Sequence, residues 1–355
     1  MAPVSGHRSL SRRRFVAGLG ALPLAGMSGS QAFGGSSSRI EVDGNHLTYE
    51  SRPLRLTGIA VGDPIYIRAD RPASDYERIA RDWFANCVRI SVFPGHWRSD
   101  PAGTGAALDR EISLARAQSL FVIIDWHAIG FPGYYEPTVP AEWGLPLDVL
   151  LSDLKEAADF WQAMARRYFH DPCILFELWN EPVAREKLWE ATGEHWPVFH
   201  DAWTGLVGTI RNDADNIVIC TGGYWAHDLV GVRERLIADP RTVYAWHSYP
   251  NAERGDFAAR EATLGGLHLV KPVIVTEWGF CPECTGELHG TVDDFGRPFV
   301  EKFLEKYQMS HTAWCFSQGA MPNLLDASDE PSTFGRFVQA TLKRSSVSAD
   351  WSLAK

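Results

Sequence analysis

The sequence lacks the signals that mark several large classes of protein. The apolar stretch at residues 16–27 is too short and too glycine-rich for a stable transmembrane helix, and no other apolar run is long enough for one. The Gly-x-Ser-x-Gly elbow, the His-Glu-x-x-His motif and the P-loop are missing, which argues against serine α/β-hydrolases, zinc proteases and P-loop NTPases. Lys and Arg (34) are outnumbered by Asp and Glu (44), and the net charge of −10 argues against a nucleic-acid partner.

Cysteine is sparse, with six residues in 355. Cys281-Pro-Glu-Cys284 could be a local disulfide, half of a zinc site or a pair of loop thiols. A zinc site needs four ligands and only His289 is near, so we expect no metal, and a disulfide is the favoured alternative in an exported protein. The other cysteines lie within or beside apolar runs and are predicted to be buried free thiols: Cys87, Cys173, Cys220 and Cys315.

The N-terminus has the pattern of an export signal. Ser11-Arg12-Arg13-Arg14-Phe15 precedes a mildly apolar stretch, and Ser30-Gln31-Ala32 offers small residues for cleavage. We therefore predict a twin-arginine-type signal peptide at 1–32, a linker at 33–39, one large folded domain at 40–345 and a polar tail at 346–355. The mature protein is expected to be periplasmic or secreted, without a stable membrane anchor.

The remaining chain alternates short apolar runs with longer amphipathic segments. This alternation predicts an α/β fold, a single (β/α)8 TIM barrel with an N-terminal β-hairpin at 40–49. The alternative, an open doubly wound sheet, is disfavoured because no Gly-rich phosphate loop follows the first strand. The predicted strands are 54–59, 87–92, 121–125, 174–178, 217–221, 243–247, 273–276 and 312–316. The predicted helices are 73–85, 108–118, 147–168, 196–211, 229–238, 257–267, 295–307 and 334–342.

Two of the strands deliver a glutamate at their ends. Ile174-Leu-Phe-Glu-Leu-Trp-Asn-Glu181-Pro182 is an apolar run that ends in an amide, a carboxylic acid and a proline. Val273-Ile-Val-Thr-Glu277-Trp-Gly-Phe280 repeats the design. Catalytic groups of a TIM barrel lie at the carboxyl ends of its strands, and two such carboxylates suggest the pair that cleaves glycosidic bonds.

Other strand ends supply further candidates, and together they resemble a known family. The motifs are Val122-Ile-Ile-Asp-Trp-His127, Trp179-Asn-Glu-Pro182, Thr221-Gly-Gly-Tyr-Trp225, His247-Ser-Tyr249 and Thr276-Glu-Trp-Gly279. In this order, over about residues 54–316, they resemble glycoside hydrolase family 5, among retaining β-glycosidases, and look most like bacterial endo-β-1,4-glucanases.

The resemblance implies a role for each residue. Glu181 would be the acid/base and Glu277 the nucleophile, with Arg89 and Tyr249 beside the nucleophile. Asn180 would donate to the 2-hydroxyl of the sugar. The remaining expected substrate-binding or supporting residues are His127, Trp225, His247 and Trp314. Asp125 is expected to be structural, and Trp278 to belong to the core. No cofactor is implied, and the expected partner is a polysaccharide or oligosaccharide bound by a monomer.

The sugar specificity stays open at this stage. The related endoglucanases usually carry a histidine near the end of the first strand, whereas this chain has Gly62-Asp63-Pro64. The aromatic loop at 128–146 is longer than is common in those enzymes, and we expect it to form one wall of the cleft. A β-mannanase, another β-glucanase or an exo-β-glycosidase therefore remains an alternative. A sugar-binding barrel without catalysis is an alternative of another class.

Overall fold

The computed structural model describes residues 38–183, 196–252 and 256–348. The predicted signal peptide and almost all of the linker lie outside the described residues, as does most of the predicted tail. Within them, no helix has the length and hydropathy needed to cross a bilayer. The predicted barrel of eight parallel strands with surrounding helices is confirmed.

A closed barrel of eight parallel strands forms the centre of the fold. Each strand pairs with the next, and the last pairs with the first. The uninterrupted apolar runs are explained by burial on both faces, since one face fills the barrel and the other packs on helices. The barrel strands are β4 (Thr57–Gly62), β5 (Cys87–Val92), β6 (Phe121–Trp126), β7 (Ile174–Glu177), β8 (Val218–Thr221), β9 (Thr242–Ser248), β10 (Val273–Trp278) and β11 (Ser310–Ala313).

The predicted N-terminal hairpin is present and is extended by a third strand. β1 (Ile40–Asp43), β2 (His46–Tyr49) and β3 (Arg52–Leu54) form an antiparallel sheet. Its apolar side chains share a core cluster with the first residues of the barrel strands, so the sheet closes the amino end of the barrel. The carboxyl ends of the strands therefore lie at the opposite end. The shared cluster includes Ile40, Leu47, Leu54, Cys87, Phe121, Val243 and Ile274.

Most of the predicted helices are found, with shifted boundaries. Residues 292–305 are helical but contain π-type turns on both sides of a short α segment. The α-helices are α1 (Ala73–Arg81), α2 (Pro94–Ser99), α3 (Pro101–Ala117), α4 (Leu154–Tyr168), α5 (Trp196–Arg211), α6 (Phe257–Ala262), α7 (Arg297–Phe299) and α8 (Thr333–Ser348). Short 3-10 helices span Ala141–Trp143, Leu267–Leu269 and Gly286–Leu288.

The helix predicted at 229–238 is wrong, because the segment forms a series of turns. The backbone N–H of Leu229 donates to the carbonyl of Thr263, far along the chain. Gly231 has φ +84°, which no right-handed helix accommodates. Tertiary hydrogen bonding thus overrides the amphipathic pattern of the segment.

The end of α3 provides a test of backbone strain. Ser119 has φ +60° and follows the C-cap, and the N–H of Leu120 donates to Ala115 across the turn. A left-handed conformation costs a non-glycine residue about 1–2 kcal/mol. Ser119→Gly is therefore expected to raise the free energy of unfolding by about 1 kcal/mol in urea titrations. The matched control Ser113→Gly, at an exposed position inside α3, should lower it by about the same amount. Equal effects of the two variants would contradict this account.

Candidate active site

The carboxyl ends of the barrel strands bring the two predicted catalytic glutamates together. Glu181 follows β7, the fourth barrel strand, and Glu277 lies in β10, the seventh. One carboxylate oxygen of each, and one ring nitrogen of His247, all lie within 4.8 Å of one another. A register irregularity in β10 between Val275 and Glu277 places Glu277 opposite His247 of β9. The bulge thus sets which β10 side chain faces the centre of the site.

Arg89 of β5 organises the floor of the site. Its side chain is fully buried, and its Nη1 donates to Glu277 Oε1 at 2.6 Å. Its Nε donates to Glu177 Oε2 at 2.6 Å, and its Nη2 is 3.0 Å from Asp125 Oδ2. Nη2 also donates to Asn180 Oδ1 at 2.8 Å. Because the Asn180 oxygen accepts from Arg89, its NH2 group is left to donate elsewhere.

Both oxygens of Glu277 are held by donors. Arg89 binds Oε1, and the hydroxyl of Tyr249 donates to Oε2 at 2.8 Å. Burial and the negative charge of Glu277 raise the pKa of Tyr249 well above its usual range, so this phenol keeps its proton. The Glu277 carboxylate is therefore fixed in orientation, and its charge is compensated by one guanidinium.

Glu181 is in a different electrostatic environment. Its side chain is 17% exposed, against 6% for Glu277, so it borders open space. Burial, and next the negative charge of Glu277, raise the pKa of Glu181 well above its usual range. The environments of the pair are therefore unlike, since the pKa of Glu181 is raised and the oxygens of Glu277 are held by two donors, which is the asymmetry that general acid chemistry requires.

The ring of His247 lies close to both glutamates. Its Nδ1 is 3.2 Å from Glu181 Oε1 and 3.8 Å from Glu277 Oε2, and its Nε2 is 3.1 Å from Thr276 Oγ1. Burial, and then the neighbouring Arg89 charge, lower the pKa of His247 well below its usual range. The ring is therefore neutral and acts here as a hydrogen-bonding group.

His127 and Trp314 form an aromatic wall beside the glutamates. Their rings stack with centroids 5.2 Å apart and planes 7° apart. The Nδ1 of His127 is 2.6 Å from Asp125 Oδ2, and Asp125 is fully buried. The expectation that Asp125 serves neighbouring donors agrees with this contact, and the flat Trp314 face suits sugar C–H bonds.

Trp225 is held by an unusual stretch of backbone. Tyr224, Trp225 and Ala226 have φ values of +52°, +50° and +65°, so three successive non-glycine residues are left-handed. Such residues persist only where the surrounding structure enforces them, and they concentrate at functional sites. The Trp225 N–H donates to the Pro182 carbonyl at 3.3 Å, which anchors the turn beside Glu181.

The 128–146 loop lies next to the acid. Gly130 N–H donates to the Glu181 carbonyl at 2.9 Å, and Glu181 N–H donates to the Ala128 carbonyl at 3.0 Å. Tyr135 packs edge-on against Trp225 at 5.6 Å. The loop therefore borders Glu181 and Trp225, as expected for a wall of the cleft.

The loop after β10 contributes a second border. Cys281 and Cys284 form a disulfide with a Cα–Cα distance of 5.3 Å, and the other four cysteines are buried and free, as predicted. Asn251 is tied to this loop by its N–H to the Glu287 carbonyl and its amide to the Gly286 carbonyl. The negative charge of Glu287 also contributes to raising the pKa of Glu181.

The central cluster is also the group of side chains that could hold a metal ion. Glu181, His247 and Glu277 could each offer one ligand atom, and they are the candidate cluster found among the described residues. Glu277 Oε1 already accepts from the buried Arg89. Trp278, expected in the core, is fully buried there, with its indole N–H donating to His311.

Two residues with notable buried contacts, Glu177 and His96, were not predicted from the sequence. Glu177 is a buried acid of β7 that binds Arg89, and burial raises its pKa to about 7. An acid inside an apolar strand was the available signal, because a buried charge needs a partner. His96 of α2, whose Nδ1 is 3.0 Å from Asp63 Oδ1, carried no motif that could have marked it.

Comparison with known proteins decides the family. The profile described as Cellulase (glycosyl hydrolase family 5) matches residues 47–320, most of the chain. This chain belongs to glycosyl hydrolase family 5. An endoglucanase of Halalkalibacter akibai is 26% identical over 272 residues, covering 67% of this chain and 30% of the relative. Endoglucanase E-5 of Thermobifida fusca is 26% identical over 258 residues, covering 68% of this chain and 48% of the relative. The chain thus spans half or less of these relatives.

Solved family 5 structures have the same fold. The β-glucanase SdGluc5_26A of Saccharophagus degradans, in complex with cellotetraose, superposes with a TM-score of 0.76 at 23% identity, covering 87% of this chain and 94% of that one. The catalytic domain of Thermobifida fusca endoglucanase Cel5A gives a TM-score of 0.66 at 21% identity, covering 86% of this chain and 97% of that one. The predicted TIM barrel and family are therefore confirmed.

The electrostatic coupling of the two glutamates can be measured. Glu277→Gln removes the negative charge next to Glu181, so the pKa of Glu181 should fall while burial keeps it above its ordinary value. Carbon-13 NMR titration of labelled glutamate carboxyls provides the readout. The control Glu283→Gln, an exposed acid in the loop after β10, should leave the Glu181 titration in place. An unchanged pKa in Glu277→Gln would mean that the two carboxyls do not interact.

Proposed function

We propose that this chain is a retaining endo-β-1,4-glucanase in which Glu181 is the acid/base and Glu277 the nucleophile. The observation that carries the proposal is the separation of the carboxylates, with oxygens within 4.8 Å of each other. Retaining enzymes hold their carboxyl groups about 5–5.5 Å apart, whereas inverting enzymes need roughly 6.5–9.5 Å to seat a water.

The surrounding contacts support the division of roles. Arg89 and Tyr249 orient the Glu277 carboxylate for attack on the anomeric carbon. Glu181, whose raised pKa favours the protonated acid, donates a proton to the departing oxygen. Asn180, oriented by Arg89, donates to the sugar 2-hydroxyl as the transition state forms. In the second step Glu181 withdraws a proton from water, which then releases the sugar from Glu277.

The glucan specificity is supported by the relatives. The curated relatives of Halalkalibacter akibai and Thermobifida fusca are endoglucanases, and a structural neighbour was solved with cellotetraose. Exposed aromatic side chains of the 128–146 loop, Tyr134 and Trp143, offer apolar faces of the kind that pyranose rings contact. An oligosaccharide or polysaccharide substrate fits this surface.

A substrate panel tests the function. Release of reducing ends should be fastest from carboxymethyl-cellulose or lichenan, with mannan much slower. Proton NMR of the first product should show the β-anomer, because double displacement retains configuration. Faster turnover of mannan, or turnover of aryl glycosides alone, would reject the endoglucanase assignment. The α-anomer as first product would reject the mechanism.

Export and monomeric state complete the proposal. The paired arginines before an apolar stretch support a twin-arginine route, so replacing Arg12 and Arg13 by lysine should retain the protein in the cytoplasm. Light scattering of the mature protein should give the mass of a single chain. A processed product outside the cytoplasm despite both lysines would contradict the predicted route.

A further inference from the structure

A row of parallel aromatic rings leads away from the catalytic pair. It begins with Trp314 and His127, continues through Phe93 and ends at His96. The ring centroids are 5.2 Å apart for Trp314 and His127, 5.3 Å for His127 and Phe93, and 5.4 Å for Phe93 and His96. The planes differ by 7°, 19° and 18°. We call these four residues the ring row.

Each of the two histidines of the ring row contacts a buried aspartate through its Nδ1 atom. The Nδ1 of His127 lies 2.6 Å from Asp125, and the Nδ1 of His96 lies 3.0 Å from Asp63. Both aspartates are fully buried. A carboxylate partner places a hydrogen on Nδ1, so Nε2 is free for another group. The side chain of His127 is 8% exposed and that of His96 is 15% exposed. Neither Nε2 atom is a buried atom without a partner, so the Nε2 edge of each ring reaches solvent.

Asp63 holds His96 rigidly. Its Oδ1 also accepts from the N–H groups of Ile65 and Tyr66 at 2.9 Å, and its Oδ2 accepts from Phe93 N–H at 2.9 Å. This one buried carboxylate therefore joins the loop after β4 to α2. A binding group fixed by such contacts loses little conformational entropy when it binds. Asp63 directly follows the first barrel strand, in the Gly62-Asp63-Pro64 segment that departs from the histidine usual in the related endoglucanases.

The position of the ring row indicates which part of a substrate it meets. The proposed acid Glu181 contacts His247 of the sixth barrel strand and is influenced by Glu287 in the loop after the seventh. The leaving group belongs on that side. The ring row extends the other way, to segments that follow the first and second strands, and so lies along the glycone side of the cleft.

We propose that His96 is a substrate-binding residue that hydrogen-bonds, through Nε2, a hydroxyl of a glycone sugar unit beyond the one at His127. This inference rests on the proposed function, since it assumes a β-1,4-glucan in the cleft.

Kinetics on aryl β-glycosides with one to four glucosyl units test the inference. For His96→Ala and His96→Phe, kcat/KM should fall about tenfold more on the aryl tetraoside than on the dinitrophenyl glucoside, mainly through KM, as expected for loss of one oriented hydrogen bond (~1.4 kcal/mol). Phenylalanine preserves the stack on Phe93 and removes both ring nitrogens, while the Asp63 oxygen that faced Nδ1 still accepts from the N–H groups of Ile65 and Tyr66. The control His46→Ala changes an exposed histidine of β2 and should show no dependence on length.

The possible outcomes separate the two proposals. An equal loss on every substrate length, or wild-type behaviour of His96→Phe, would overturn the inference while leaving the proposed function intact. A wild-type enzyme that cleaves none of the glucosides would overturn the proposed function, and this inference with it. Thermal melting of both variants near the wild-type temperature would exclude misfolding as the cause of a length-dependent loss.

Discussion

Glu277→Ala is expected to lower kcat on a soluble β-glucan by about 10⁴-fold or more, because removal of a covalent nucleophile leaves only binding and electrostatic effects. Arg89 and Tyr249 would then face a cavity without a carboxylate. Azide fits such a space and should restore part of the activity on an aryl glycoside. Since azide would attack from the face that Glu277 occupied, the product should be the glycosyl azide of inverted configuration.

The control for this variant is another glutamate of the same region. Glu283→Ala removes an exposed acid from the loop after β10 and should have nearly wild-type kcat with no response to azide. A glycosyl azide of retained configuration from Glu277→Ala would mean that Glu277 is the acid/base and Glu181 the nucleophile. Chromatographic and NMR identification of the azide product decides between them.

Glu181→Ala should show a strong dependence on the leaving group. General acid catalysis contributes roughly 10²–10⁴-fold, and it is needed most when the departing alcohol is a sugar. Hydrolysis of the natural glucan should therefore fall by about that factor, whereas formation of the glycosyl-enzyme from a dinitrophenyl glycoside should be nearly unaffected. Because the same residue activates water in the second step, the intermediate should accumulate and KM should fall.

A burst of dinitrophenol followed by slow turnover is the measurement for Glu181→Ala. Glu136→Ala, an exposed acid of the loop that borders Glu181, serves as the control and should show neither the burst nor the selectivity for good leaving groups. Equal losses on polymer and dinitrophenyl glycoside would mean that Glu181 does not protonate the leaving oxygen.

The pH dependence of activity follows from the same site. The acid must be protonated in the first step, and burial together with Glu277 raises its pKa. Activity should therefore persist above the pH at which an ordinary glutamate loses its proton, and decline as pH rises through the raised pKa. The neutral state of His247, whose pKa is lowered by burial, adds no charge to Glu181 in this range.

The predictions that succeeded depended on local patterns. The strand at 87–92 was predicted with the boundaries that the structure has, and the helix at 196–211 ends at the predicted residue, since burial on both faces or on one helical face leaves a strong signature. The helix predicted at 229–238 failed because its backbone pairs with Thr263 and turns at Gly231. The meeting of Glu181 and Glu277 at one end of the barrel was predictable because both follow or end buried strands, and the carboxyl ends of barrel strands lie together. Their catalytic roles stay a proposal.

By itself, the sequence determined the barrel, the family and the two glutamates, because strand period, burial and strand-end residues are all written within short segments. Only the tertiary structure decided that Arg89 binds Glu177, Asp125 and Glu277 together, and that His96 extends the stack of His127. Those contacts join residues from separate strands and loops. They exist because closing the barrel brings the strand ends to one place, and no local pattern encodes which side chains then meet.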